Sequence, residues 1–298
     1  MTTSLAATIR QALERAGLDW DATRAHVSAV LDEDLAWGPD ATTIATIGSD
    51  ATGTAEIVSR ELGCLAGVPI AALALQITAE RDGVDLDIEL HKDDGETVDT
   101  GQPILRATGS VRTLLTAERT ALNYVSQLSG VATATYAWTQ ALQGTGIVVR
   151  DTRKTVPGLR ILQKYAVRCG GGENHRMGLG DSALIKDNHI ASTGSLAAAF
   201  TAVRSAFPDL PVEVECDTLE QVAEAVHVGA ELILLDNMAP DIVREAVAIT
   251  RPAGVRTEAS GGITLDSVAA YRDTGVDYIA VGALTHSSRV LDLGFDLA

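Results

Sequence analysis

This 298-residue sequence lacks the patterns that predict disulfide bonds, membrane-spanning segments or a broad basic surface. Its three cysteines, Cys64, Cys169 and Cys216, are odd in number, and their spacing matches neither a disulfide framework nor a cysteine-rich zinc site. No uninterrupted apolar run is long enough to span a bilayer, and the first residues lack the basic and apolar segments of a signal peptide. We therefore expect a cytoplasmic protein with no membrane partner.

Positive charge is scarce overall and concentrated in one place. Lysine and arginine number 23 against 40 aspartates and glutamates, a net charge of −17, which argues against nucleic acid as a partner because that binding needs a broad basic face. Yet eight of the 23 cationic residues fall between Arg150 and Lys186, where only three residues are acidic. This cationic segment in an acidic chain predicts a cleft for a small, multiply negative ligand.

Short apolar runs that end in polar residues repeat through the second half of the sequence. They predict buried strands at 147–151, 183–187, 212–217, 232–237, 256–261 and 278–282. Between the later strands, Thr218 and Gln221 match a capping box, Gly229 and Gly275 match helix C-caps, and Pro240 suits a first helical turn. Alternating strands and helices require a parallel sheet, in either a closed α/β barrel or an open doubly wound arrangement.

Polar residues at the carboxyl ends of these strands favour the barrel, because α/β barrels build their active sites on that face. The residues are Lys186, Glu215, Asp236, Ser260 and Gly282. The simpler interpretation of Glu215 and Asp236 is that each caps the following helix.

The first 110 residues have a different pattern. Helical spacing near 5–16 and 21–33 precedes alternating runs at 54–60 and 85–92, which predict a separate α+β domain. A long helical stretch over 111–142, with a predicted break near Gly130, leads into the parallel sheet.

Several motifs together resemble those of the quinolinate phosphoribosyltransferase family. They occur in the family's order over nearly the whole chain, at 118–123, 151–155, 173–176, 185–189, 214–216, 235–237, 258–262 and 281–283. The resemblance implies an incomplete α/β barrel with an N-terminal α/β sandwich domain, an open sheet plus helices. It places the sandwich at 1–121, with 287–298 returning to it, and the barrel at 122–286.

The resemblance also implies an activity. This family transfers the phosphoribosyl group of phosphoribosyl pyrophosphate (PRPP) to quinolinate with decarboxylation, which gives nicotinate mononucleotide, pyrophosphate and carbon dioxide in NAD biosynthesis. Mg²⁺ arrives with PRPP, and the enzyme is a homodimer or a higher oligomer. Both substrates are polyanions, in agreement with the cationic segment. A paralogue with an altered substrate and a degenerate anion-binding protein are the alternatives.

By resemblance, the two carboxylates of quinolinate bind Arg153, Arg176 and Lys186, with help from His175 and from Arg119 of a neighbouring subunit. Guanidinium groups suit carboxylates because their paired N–H donors match the two oxygens.

For PRPP, the resemblance assigns Lys154 to the pyrophosphate, and Glu215 and Asp236 to the ribose hydroxyls and, through water, to Mg²⁺. The 5′-phosphate is expected on backbone N–H groups of Ser260, Gly261, Gly262, Val281, Gly282 and Ala283. Thr152 is a further expected substrate contact. Lys154, Lys186, Glu215 and Asp236 are expected to carry the catalysis.

The remaining candidates have simpler interpretations. Arg160, Lys164 and Arg168 recur at helical spacing and are equally consistent with a ligand site and with a solvated helix face. Cys169 and Cys216 lack a recognisable base partner, so we expect them to be packing residues.

Overall fold

The computed structural model describes residues 5–297, which divide into two compact units. The first contains the described residues up to Ala134, Ile161–Gly171 and the segment from Ser288 onward; the second contains Thr135–Arg160 and Gly172–Ser287. These units reflect compactness alone, so the domain limits 1–121 and 122–286 stay a prediction. Within residues 5–297, no helix combines the length and the apolar character that crossing a membrane requires.

The described residues form twelve strands and eleven α-helices, besides two short 3₁₀ helices. The strands are β1 (Thr52–Ser59), β2 (Gly63–Cys64), β3 (Leu86–Leu90), β4 (Thr97–Val98), β5 (Pro103–Ser110), β6 (Val148–Arg150), β7 (Ala183–Ile185), β8 (Val212–Cys216), β9 (Leu232–Asp236), β10 (Arg256–Ser260), β11 (Tyr278–Ala280) and β12 (Leu293–Leu297). The helices are α1 (Leu5–Arg15), α2 (Trp20–Asp34), α3 (Ala41–Thr46), α4 (Val68–Asp82), α5 (Val111–Ala141), α6 (Arg160–Cys169), α7 (Asp187–Thr193), α8 (Leu196–Ala206), α9 (Leu219–His227), α10 (Pro240–Thr250) and α11 (Ala283–His286).

The first unit is built on an antiparallel sheet with the strand order β12–β1–β5–β3. Helix α4 is apolar on nearly all sides and almost wholly buried, and it packs against α1, α2 and the sheet. A helix that is apolar all round needs cover from every direction, which explains the layered arrangement. Strand β12 pairs antiparallel with β1, so residues Leu293–Leu297 belong to this sheet. The two predicted N-terminal helices are confirmed as α1 and α2.

The predicted break in the long helix is wrong, because α5 runs without interruption through Gly130. A Cβ atom built at this glycine would lie 2.1 Å from the carbonyl oxygen of Arg289. Gly130 therefore allows a close approach of the chain near Arg289 and does not end the helix.

The second unit contains a six-stranded parallel sheet with the order β6–β11–β10–β9–β8–β7. All six predicted strands are confirmed, each within two residues of its predicted limits. Strands β6 and β7 lie at the two edges of the sheet, so the barrel is incomplete, as predicted. The carboxyl ends of parallel strands meet at one edge, which brings the polar residues that follow them together.

The predicted helix signals have mixed outcomes. Thr218 and Gln221 form the expected capping box at α9, and Pro240 begins α10. Gly275, however, follows only a short 3₁₀ helix, Val268–Tyr271, where an α-helix is predicted. The hydroxyl groups of Thr264 and Ser267 form hydrogen bonds with each other and with the local backbone, which favours turns over a continuing helix.

Candidate active site

A cleft of about 420 Å³ opens at the carboxyl ends of the parallel strands in the second unit. It is lined by Thr152, Arg153, Lys154, His175, Arg176, Leu184, Lys186, Glu215, Leu234, Asp236, Glu258, Ser260 and Ala280. Nine of these are predicted substrate-binding residues. Three apolar side chains, Leu184, Leu234 and Ala280, complete the wall and suit one face of a planar ring.

Two neighbouring arginines, Arg153 and Arg176, line the cleft. Burial and the charge of the neighbouring Arg153 lower the pKa of Arg176 below its usual value. Arg176 donates to the carbonyl oxygen of Ser182 at 3.1 Å, and the buried Nε atom of Arg153 has no hydrogen-bond partner among the described residues. Like charges close together and a donor left without a protein acceptor are the features of a site that an anion completes.

A lysine and a carboxylate from adjacent strand ends form an ion pair inside the cleft. The ammonium group of Lys186, just after β7, contacts Glu215 Oε2 near the end of β8. Glu215 is largely buried, whereas the Lys186 side chain is 43% exposed. Lys186 therefore holds Glu215 at the wall and keeps part of its own charge available to a ligand.

Asp236 ends β9 and is oriented by its neighbour Asn237. The Asn237 side-chain amide donates to Asp236 Oδ2 at 2.7 Å, and its backbone N–H donates to the carbonyl oxygen of Ser260. Asn237 adopts a left-handed backbone conformation with φ of 54°, and a Cβ atom built at Gly261 would lie 2.2 Å from Asn237 Oδ1. Glycine at 261 is thus required for the close contact between the two loops.

The loops expected to bind phosphate lie beside the cleft. Ser260 lines it, whereas Gly261, Gly262, Val281, Gly282 and Ala283 do not. A Cβ atom built at Gly282 would lie 3.2 Å from the Lys154 side chain, so this turn adjoins a cleft residue. Their binding of phosphate stays a prediction.

Arg119 is a predicted site residue that belongs to the first unit. It is an exposed side chain on α5 in the first unit, where it lies 3.6 Å from Glu118 and lines a separate cavity. The prediction assigns Arg119 to a neighbouring subunit's site, and that assignment stays a prediction.

A buried polar cluster surrounds the predicted residue His175 and contains three residues without a predicted role, Arg150, Glu213 and Glu258. His175 Nε2 lies 2.6 Å from Glu213 Oε2 and 3.6 Å from Glu258 Oε1, and Arg150 donates to Glu258 Oε2 at 2.7 Å. Burial and the adjacent Glu213 charge raise the pKa of Glu258 towards neutrality. In the sequence, the signal for Glu213 and Glu258 is their position: each lies in a buried strand, two residues before the polar residue at the strand end.

One His175 nitrogen and a carboxylate oxygen from each of Glu213 and Glu258 lie within 4.8 Å of one another, close enough to surround a metal ion. Arg150 is already paired with Glu258, and the short His175–Glu213 contact is a hydrogen bond. The cluster is therefore accounted for as a buried hydrogen-bond network.

The basic residues of α6 have divergent environments. Lys164 is fully buried, so a solvated helix face is wrong for this residue, whereas Arg168 is exposed and donates to the Ala16 carbonyl oxygen. Arg160 donates to Thr155 and to the carbonyl oxygen of Met177.

The cysteines near the motifs are not activated. Burial raises the pKa of Cys169 and of Cys216 to about 12, so both thiols stay protonated at neutral pH.

Together, the incomplete barrel and the cationic cleft at its carboxyl face define an α/β-barrel enzyme with a site for small polyanions. Comparison with known families is more specific. Residues 40–129 match the N-terminal domain of quinolinate phosphoribosyl transferase, and residues 131–296 match its C-terminal domain. The chain belongs to the quinolinate phosphoribosyltransferase family.

Individual relatives agree with this assignment. A carboxylating nicotinate-nucleotide pyrophosphorylase of Mycobacterium leprae is 51% identical over 94% of this chain and 98% of its own length. A probable enzyme of the same name from Bacillus subtilis is 46% identical over 82% of this chain and 83% of its own length. The solved structure of the Francisella tularensis nicotinate-nucleotide pyrophosphorylase has a TM-score of 0.87, with 37% identity over 93% of this chain and 96% of its own. The predicted family and enzyme class, a pentosyltransferase of pyridine nucleotide biosynthesis, are confirmed.

Proposed function

We propose that this protein transfers the phosphoribosyl group of PRPP to quinolinate and releases pyrophosphate and carbon dioxide to form nicotinate mononucleotide. The observation that carries the proposal is the cleft itself. Four cationic side chains, Arg153, Lys154, Arg176 and Lys186, line one cleft together with two strand-end carboxylates and three apolar side chains. Two polyanionic substrates need such cations, and a ribose that becomes positively charged needs the carboxylates.

Quinolinate would bind with its two carboxylates on Arg153, Arg176 and Lys186 and with its ring against the apolar wall. The closeness of Arg153 to Arg176 supports this placement, because a bound carboxylate relieves the repulsion between them. His175 lines the same region, and each charge-assisted contact contributes about 1.5–3 kcal/mol. Arg119 of a neighbouring subunit would complete this half of the site.

PRPP would occupy the opposite side of the cleft. Lys154 would contact the pyrophosphate, and Glu215 and Asp236 would accept hydrogen bonds from the ribose hydroxyls. The loops after β10 and β11 would bind the 5′-phosphate through backbone N–H groups, as late loops of α/β barrels commonly do. Thr152, which lines the cleft beside Lys154, would make a further contact.

The reaction needs no covalent protein intermediate. The bond from ribose C1 to the pyrophosphate oxygen breaks with its electron pair leaving on pyrophosphate, while Asp236 and Glu215 stabilise positive charge on the ribose. The pyridine nitrogen lone pair then bonds to C1. The positively charged ring accepts the electron pair released when the adjacent carboxylate leaves as carbon dioxide, and a proton then replaces that carboxylate. Protein groups supply position and electrostatic stabilisation.

The residues present fit a magnesium ion carried by PRPP. Glu215 and Asp236 offer carboxylate oxygens on adjacent strand ends, and oxygen is the ligand that Mg²⁺ prefers. Each already has a protein partner, Lys186 and Asn237 respectively, so we propose contact with the ion through water. When bound, Mg²⁺ neutralises charge on the leaving pyrophosphate.

We further propose a homodimer or higher oligomer in the cytoplasm. The Arg119 side chain is exposed on α5, with only a loose contact to Glu118 at 3.6 Å, and this exposure supports a composite site with a neighbouring subunit. Cys64, Cys169 and Cys216 are free thiols, in keeping with a reducing compartment.

The purified protein, supplied with quinolinate, PRPP and Mg²⁺, tests the activity. We expect nicotinate mononucleotide, pyrophosphate and carbon dioxide in equal amounts, measured by chromatography and by release of label from the 2-carboxylate. Binding of both ligands without any product would support the anion-binding alternative, and product from another pyridine acid alone would support an altered substrate.

A further inference from the structure

His175 is held from below by a buried carboxylate. Its Nε2 atom lies 2.6 Å from Glu213 Oε2, and its backbone N–H donates to Asp151 Oδ1 at 2.9 Å. Glu213 is 2% exposed and Asp151 is fully buried. Both the backbone and the ring of this cleft residue are therefore fixed by acceptors that solvent does not reach.

The contact defines which ring nitrogen carries the proton. A carboxylate oxygen at 2.6 Å accepts a hydrogen bond, so Nε2 is the donor to Glu213. The Nε2 edge of the ring is thereby held by the barrel interior and not by a ligand.

The surroundings explain why a carboxylate can stay at this depth. Arg150 pairs with Glu258 and stacks on the Tyr278 ring, with its guanidinium carbon 4.5 Å from the ring centroid. Glu258 shares the barrel interior with Glu213, and burial raises the pKa of Glu258. Arg150 and His175 thus bring hydrogen-bond donors to the two buried glutamates, which offsets part of the cost of burying them.

We propose that Glu213 is a positioning residue that fixes the ring plane of His175 and holds a proton on its Nε2 atom, which keeps the ring in place at the cleft for quinolinate. This inference rests on the proposed function for its substrate. Glu213 does not line the cleft, so it acts on the ligand through His175. Removing the acceptor leaves a buried N–H unsatisfied and lets the ring turn. Removing an outer partner that orients a functional histidine typically costs about 10-fold to 100-fold in affinity or activity.

Glu213→Leu removes the acceptor, and Glu213→Gln keeps a neutral one. We expect Glu213→Leu to weaken quinolinate binding, measured by calorimetry, by about 10-fold or more. The KM for PRPP should change by less than about twofold, because Glu213 has no contact on that side of the cleft. Glu213→Gln should restore most of the affinity, since its amide oxygen can accept from Nε2–H.

Two controls separate positioning from damage to the barrel. In a His175→Leu background, Glu213→Leu should cause little further loss, because the two residues act through one contact. Thr257→Val on β10 removes a buried hydroxyl group that donates to Asp277 Oδ2 at 3.2 Å. Neither Thr257 nor Asp277 lines the cleft. This variant should lower the Tm and leave quinolinate affinity unchanged.

Nitrogen-15 NMR of the histidine ring provides a readout that needs no substrate. In the wild-type protein we expect a proton on Nε2 of His175, and in Glu213→Leu a changed or mixed tautomer. A wild-type ring protonated only at Nδ1 would overturn the proposal, even if Glu213→Leu failed to fold. If Glu213→Leu lowered quinolinate affinity equally in the wild-type and the His175→Leu backgrounds, that result would also overturn the proposal. If the wild type neither bound nor consumed quinolinate, the proposed function would fail while the NMR result still decided the tautomer.

Discussion

Asn237 donates a hydrogen bond from its side-chain amide to Asp236 Oδ2 at 2.7 Å, from a left-handed backbone conformation that the described part of the chain otherwise reserves for glycine. Backbone strain of this kind costs about 1–3 kcal/mol and commonly lies at functional sites. Here it turns the amide towards the carboxylate that the proposed mechanism places beside the ribose. Asn237 therefore orients Asp236 at a cost to the local backbone.

We expect Asn237→Gly and Asn237→Asp to separate the backbone from the amide. Glycine accepts the conformation but cannot donate, so kcat/KM for PRPP should fall by about tenfold, the value of a hydrogen bond to a charged group. Aspartate also adds a like charge beside Asp236 and should reduce kcat/KM further. A Tm near that of the wild type for Asn237→Gly, together with lost activity, would support the account; full activity of Asn237→Asp would contradict it.

Arg176 and Lys186 should differ in their effect on stability, although both variants to alanine should weaken quinolinate binding. Arg176→Ala removes a charge that Arg153 repels, so the Tm should stay constant or rise. Lys186→Ala leaves Glu215 without its cation, but the pair is partly exposed, so the free energy of unfolding should fall by at most about 1 kcal/mol. Thermal melts measure both changes, and a large loss in the Arg176 variant would make that residue structural.

The raised pKa of Glu258 predicts that stability declines as the pH rises above 4.5 towards neutrality. In this window the folded protein retains a proton on Glu258 that the unfolded chain releases. The folded state therefore binds more protons than the unfolded state, and raising the pH lowers the free energy of unfolding. Glu258→Gln cannot titrate and should flatten the decline in Tm. Glu220→Gln is the matched control, because local hydrogen bonds lower the pKa of Glu220 and its contribution falls below pH 4.5. An unchanged slope in Glu258→Gln would show that another group is responsible.

The outline of the barrel follows from the sequence because each parallel strand is a short apolar run with a polar residue at its end. Lys186, Glu215 and Asp236 could be predicted for this reason, and the structure brings them to one cleft. Glu213 and Glu258 could not, since an isolated glutamate within a strand does not reveal which neighbour it meets inside the barrel. The predicted helix break at Gly130 is wrong because local helix propensity does not reveal that the backbone of Arg289 packs against this glycine.

Mixed dimers test whether Arg119 acts across a subunit interface. If Arg119→Ala and Asp236→Ala are each nearly inactive, a heterodimer has one site with both residues intact and one site with both defects. Random assortment of equal amounts under two-fold symmetry should then restore roughly a quarter of the wild-type activity. The variants should be co-expressed with different tags so that heterodimers can be isolated. No gain over either parent would remove Arg119 from the site.

Direct comparison of quinolinate with nicotinate, in the presence of PRPP and Mg²⁺, tests the central claim most directly. Nicotinate lacks the carboxylate that leaves and half of the anionic groups, so it would leave cations of the cleft unpaired. The account predicts release of carbon dioxide and formation of nicotinate mononucleotide from quinolinate, with little or no product from nicotinate. Comparable turnover of the two acids would contradict it.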